Sequence, residues 1–180
     1  MTEQAPDTLF PSGLRVVTEL GEFLITLYPN QAPLTCAYFA SLVEMGALDG
    51  SSFFRIVGLD NANIRADHPI EVVQGGLKID DTQPLPPVDH ETTAQTGLSH
   101  HRWSVSTARE APGETYGSFF ICMRDELELD YGGKRHPDGE GFAVFGKVTE
   151  GQDTISKLFA KREDQEFLLS PPSILHFRLV

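Results

Sequence analysis

Ser52-Phe53-Phe54-Arg55-Ile56-Val57 is a run of strand-forming residues interrupted by one cation. Period-2 alternation expects Phe53, Arg55 and Val57 on one face and Phe54 and Ile56 on the other. A guanidinium sharing a face with apolar side chains either lays its stem over apolar surface or serves a site. Other short strand-like runs carry Val72 and Gln74, Ser118 and Phe120, and Phe142. If neighbouring strands present these together with Arg55, they make an apolar pocket edged by one guanidinium and one amide. Such a pocket is the default place for a ligand.

Other chemistries find little support. Gly132-Gly133-Lys134-Arg135 lacks the spacing and the hydroxyl residue of a phosphate loop. Histidines 68, 90, 100, 101, 136 and 176 show no metal-ligand spacing and are expected to be solvated surface residues. Ser104, Ser106 and Ser118 stand in no nucleophile-elbow context. Asp130 through Glu140 offers oxygens without calcium-loop spacing. No metal or cofactor is expected.

The chain has 180 residues and a formal net charge of -12, which disfavours nucleic acid and anionic membranes as partners. No apolar run reaches membrane-spanning length, and the first residues lack a secretory pattern, so a cytoplasmic protein is expected. Cys36 and Cys122 are expected to be buried free thiols.

The elements that must position the pocket follow from periodicity. Leu14–Leu20 and Phe23–Tyr28 read as a hairpin turning at Gly21-Glu22. Pro33 to Gly46 reads as a helix with Gly46 just past its end. Ser52–Val57, Glu71–Gln74, Trp103–Ala108, Ser118–Met123, Phe142–Val148 and Ile174–Val180 read as further strands, and Gly151-Gln152-Asp153 opens a second helix. Residues 58–69, 79–90 and 131–141 read as loops. The expected fold is mainly β, a closed eight-stranded antiparallel barrel with two helices packed against it. Residues 1–13 are expected to be a flexible segment and 14–180 a single domain.

Several ordered blocks resemble the cyclophilin family of peptidyl-prolyl isomerases, in a form similar to its bacterial members. They include Gly21-Glu-Phe-Leu-Ile-Thr-Leu-Tyr-Pro, Phe53-Phe54-Arg55, Val73-Gln74-Gly75-Gly76, Ser106-Thr107-Ala108-Arg109, Ser118-Phe119-Phe120-Ile121 and Val144-Phe145-Gly146-Lys147-Val148. The resemblance implies an isomerase of X-Pro bonds acting on proline-containing peptides or unfolded segments, without cofactor; a monomer is expected. It implies Arg55 as the catalytic residue, Gln74 as its support, and Val72, Ala108, Arg109, Ser118, Phe120, Leu129 and Phe142 around the peptide. Glu71 and Glu128 stand where the family usually has aromatic residues. Their charge opens an alternative, a proline-peptide binding module with weak or no isomerase activity and a groove turned toward basic ligands.

Overall fold

The computed structural model describes residues 10–180. Eight antiparallel strands form one curled sheet in the order β3-β4-β6-β5-β7-β2-β1-β8. They are β1 (Gly13–Thr18), β2 (Gly21–Leu27), β3 (Ser52–Val57), β4 (Val72–Gly76), β5 (Ser104–Arg109), β6 (Thr115–Cys122), β7 (Val144–Glu150) and β8 (Ile174–Leu179). Helices α1 (Pro33–Glu44) and α3 (Gln152–Phe159) pack against it. Of the expected flexible segment, residues 1–9 lie outside the described residues, and Gly13 already belongs to β1.

Curling places Val16, Phe23, Ile25, Phe53, Ile56, Val73, Val105, Phe119, Ile121 and Phe145 in one interior core, with Phe39 of α1 stacked on Phe145 at 4.5 Å. Burial of this apolar surface is the main force holding the sheet curved. Cys36 and Cys122 are free and buried, as expected. Burial pushes the Cys36 thiol up to about 12.

The ends of the curl meet without a full ladder. Ile174 donates to the Ser51 carbonyl at 2.8 Å, and Phe53 donates to the Pro172 carbonyl at 2.9 Å. Further along, Ile56 donates to Glu166 and Leu168 donates to Phe54, each at 2.9 Å. The chain leading into β8 thus covers the free edge of β3, removing an exposed pairing edge. Closure is by this strap of residues 166–173 rather than by strand-to-strand pairing.

Several local expectations are corrected. The first hairpin turns at Glu19-Leu20, because β1 ends at Thr18 opposite Gly21, and Gly21 opens β2. Phe142 precedes β7 instead of starting it. A short helix, α2 (Thr93–Thr96), was not expected, although Thr92 and Gln95 form a capping box that marks it.

The correction that matters most lies in β3. Ser52 faces Gly76 and Arg55 faces Gln74, so three steps on β3 match two on β4. The extra residue is a bulge, and it shifts the alternation by one. Phe53 and Ile56 therefore both enter the core, whereas Arg55 and Val57 face outward. Gly75 makes the bulge possible, since a Cβ there would lie 2.6 Å from the Phe53 ring. Arg55 does not share its face with Phe53.

Candidate functional site

Beyond the bulge the register is regular, and it aligns the site. Arg55 of β3 lies opposite Gln74 of β4, and Gln74 lies opposite Phe120 of β6. Directly opposed residues share a face, so the three side chains emerge together on the outer wall. They border a pocket of about 180 Å³ that also takes in Val72, Ala108, Arg109, Leu129 and Phe142. Its apolar base is a small cluster of Val57, Ile70, Val72, Phe120, Cys122 and Leu129, distinct from the main core.

Arg55 is fixed from two sides. Its Nη1 donates to Gln74 Oε1 at 3.1 Å, and its Nη2 donates to Glu166 Oε1 at 2.9 Å. Its Nε is buried and has no partner among the described residues. Phe167 lies under the guanidinium at 5.5 Å, a favourable seat for a cation. Gln74 is fixed in turn, since its Nε2 donates to Ser118 Oγ at 3.0 Å, and that hydroxyl donates to the Gly75 carbonyl. Ser118 is fully buried and does not border the pocket. It stands behind Gln74.

Glu166 escaped the sequence reading. It is 1% exposed, and its second oxygen accepts the Ile64 amide at 2.8 Å. Both carboxylate oxygens are used, as burial of a charge demands. Residues 163–170 follow no periodic pattern, and only the pairing of the strap with β3 brings Glu166 to Arg55.

Phe120 is held at its edge and from behind. Phe142 meets it edge-on at 5.6 Å, while the His100 ring stacks parallel to it at 5.9 Å. His100 is fully buried, correcting the expectation of a surface histidine. Its Nδ1 pairs with Asp130 at 2.6 Å and its Nε2 with Ser106 Oγ at 2.9 Å. Burial lowers the His100 pKa, outweighing the Asp130 carboxylate, so the ring is held neutral. The Asp130 carboxyl is lowered as well: burial opposes this, but hydrogen bonds from His100 and Ser99 prevail. Ser106, His100 and Asp130 have the composition of a hydrolytic triad. Ser106 and His100 are both sealed from solvent, so no substrate carbonyl reaches them.

Arg109 forms part of the wall with all its donors engaged. Nε and Nη2 donate to the Gly141 carbonyl, Nη1 to that of Glu110, and the two Nη atoms hold Asp138 in a fork at 2.9 and 3.0 Å. It also covers the Phe142 ring at 4.9 Å. The Asp138 carboxyl is lowered to about 2, with burial opposing and the Arg109 hydrogen bonds dominating.

Glu71 and Glu128 are absent from the pocket. Glu71 turns to Arg124 at 3.7 Å, Glu128 accepts the Lys134 amide, and the apolar position ahead of Val72 is taken by Ile70. Among the described residues, every side chain lining the pocket that can carry a charge near neutral pH is a cation or a histidine: Arg55, Arg65, Arg109, Arg135 and His136. The groove expected to suit basic ligands has the opposite lining.

Comparison with known proteins agrees with this architecture. The family model described as cyclophilin type peptidyl-prolyl cis-trans isomerase/CLD matches residues 14–179. The chain is 32% identical over 151 residues to the peptidyl-prolyl cis-trans isomerase cyp18 of Streptomyces antibioticus, covering 82% of each. It is 30% identical over 145 residues to a peptidyl-prolyl cis-trans isomerase of Acinetobacter baylyi, covering 78% of this chain and 68% of that one. The fold is similar to that of a cyclophilin type isomerase from Cryptosporidium parvum crystallised with the dipeptide Ala-Pro. The TM-score is 0.75 and the identity 19%, covering 93% of this chain and 98% of that one. With a family model spanning nearly all the described residues and a sheet that curls to match, the chain belongs to the cyclophilin type peptidyl-prolyl cis-trans isomerases.

Proposed function

We propose that this protein accelerates rotation about X-Pro peptide bonds, with Arg55 as the catalytic residue. The observation that carries this reading is the placement of Arg55. A permanent cation with an unengaged buried Nε stands at the rim of an apolar pocket floored by Phe120.

The planar amide resists rotation by about 18–20 kcal/mol, and X-Pro bonds isomerise in tens to hundreds of seconds. Twisting breaks the conjugation, and the proline nitrogen becomes pyramidal and regains a lone pair able to accept a hydrogen bond. A donor aimed at that nitrogen binds the twisted state more tightly than either planar state, which is the condition for catalysis. Arginine suits the task because it remains protonated and its fork is rigid. Gln74 and Glu166 hold that fork, so little reorganisation accompanies the reaction. Raising the rate by about four decades requires roughly 5.5 kcal/mol, which a charge-assisted hydrogen bond and a clamped proline ring together can supply.

Val72, Phe120, Leu129 and Phe142 grip the ring, Ala108 and Arg109 form the adjoining wall, and Ser118 supports Gln74. The substrates are proline-containing peptides or unfolded segments. We read residues 14–180 as one domain acting as a monomer in the cytoplasm, a compartment that two buried unpaired thiols suit. The charge of -12 argues against nucleic acid and anionic membranes. Among the described residues, no helix is long and apolar enough to cross a membrane.

Exchange between the cis and trans forms of an X-Pro peptide, measured by NMR with and without protein, tests this reading. Acceleration is expected, and Arg55→Ala should remove about 99% of it while leaving the amide spectrum of the fold intact. Unchanged exchange at stoichiometric protein would overturn it.

A further inference from the structure

The lining of the pocket is at odds with the chain. A protein of net charge -12 surrounds this pocket with four arginines and a histidine, and no carboxylate lines it among the described residues. Two of the arginines are compensated: Glu166 neutralises Arg55, and Asp138 neutralises Arg109. His136 also faces Asp138 at 3.0 Å. Arg135 and Arg65 make no ion pair among the described residues.

Arg135 is the more informative. It is 6% exposed, yet it has no counter-ion. Its Nη1 gathers the carbonyls of Ile64, Arg65 and His68, which folds the loop of residues 58–69 around it. Its Nε and Nη2 donate to no acceptor among the described residues, while the side chain lines the pocket. A peg for the loop would need only the Nη1 end. Burial lowers the Arg135 pKa, the Arg55 charge adds to this, Glu166 opposes it, and Arg65 acts with Arg55. A buried cation with free donors and cationic neighbours is relieved by an incoming anion.

We propose that Arg135 and Arg65 form an anion site beside the proline pocket. It recognises a negatively charged group on the peptide next to the proline: an Asp or Glu side chain, a phosphorylated side chain, or the free carboxylate of a terminal proline. The proposal rests on the isomerase reading and names the substrate class of that same site. The planar guanidinium of Arg135 suits carboxylate and phosphate oxygens equally. Arg65 is exposed at the mouth, where it meets the ligand first.

The test uses matched peptides that differ only in charge next to proline: Glu against Gln before and after it, phosphoserine against serine before it, and a terminal proline carboxylate against its amide. Their exchange is measured by NMR with the full chain. At least one anionic peptide should exceed its neutral match about tenfold in kcat/KM. That ratio should collapse toward one in Arg65→Gln and in Arg135→Gln, and should shrink in high salt. Arg65→Gln alters an exposed residue, so it decides the matter if Arg135→Gln does not fold. Ratios within about twofold of one for every pair, or a preference untouched by both variants, would overturn the anion site. If no peptide is isomerised faster, the isomerase reading fails separately. The same peptides titrated by chemical shift then decide the charge preference, and equal affinities within pairs would sink it.

Discussion

Arg55 and Glu166 are 111 residues apart in sequence and 2.9 Å apart in the fold. Glu166 is the more buried partner, and it ties Arg55 to the loop above through the Ile64 amide. Removing its charge while keeping its shape isolates that role. Glu166→Gln should lower kcat by about tenfold with little change in KM, because Arg55 stays present but loses its aim. Stability should fall by about 1–3 kcal/mol in urea, from a guanidinium left without its counter-charge. Native-like kcat in a folded Glu166→Gln protein would show that Gln74 alone positions Arg55.

Ser118 acts one step further back. Ser118→Ala removes the acceptor of the Gln74 amide, leaving a buried donor unpaired at a cost of about 1–2 kcal/mol. Gln74 is then free to rotate away from Arg55, and kcat/KM should drop about threefold to tenfold. Ser118→Thr keeps the hydroxyl and should recover more activity than stability, because its extra methyl meets a fully buried site. Equal kinetics for native and Ser118→Ala proteins would break the proposed chain from Ser118 through Gln74 to Arg55.

The buried His100 makes stability depend on pH near neutrality. Its folded pKa is lowered below 6.5, so protons bind the unfolded state in preference. Its contribution is complete above about 6.5 and is lost as pH falls from there toward the folded value. Asp130 and Asp138 act at lower pH. Both carboxyls are lowered from 3.8, Asp138 to about 2, so their contributions are present above about 3.8 and lost as pH falls toward those values. Urea midpoints should decline in two stages, one beginning near pH 6.5 and one below pH 4. In His100→Asn the first stage should flatten. A midpoint constant between pH 7.5 and 5.5 would contradict a neutral buried His100.

Local pattern carried much of this protein. Most of the strands, the helix ending before Gly46, and the groups Arg55, Gln74 and Phe120 were legible because alternation and turn chemistry act over a few residues. The resemblance to cyclophilins pointed to the same three side chains, and the structure brings them to one outer wall. Arg109 borders the pocket with its donors already spent on Asp138, Glu110 and Gly141.

What the tertiary structure decided is everything that depends on register and on distant chain. The bulge opposite Gly75 reverses the face of Phe53, and a period-2 reading cannot see an inserted residue. Glu166 reaches Arg55 only because the strap pairs with the open edge of β3. His100 is buried because residues 99–100 bond Asp130 from a separate loop, and nothing near His100 in sequence marks it as apolar. The sign of the pocket was also set by long-range packing. Glu71 and Glu128 pointed to an acidic groove in one dimension; folding turns them aside and brings in Arg135, whose charge comes from a loop more than sixty residues from the carbonyls it gathers.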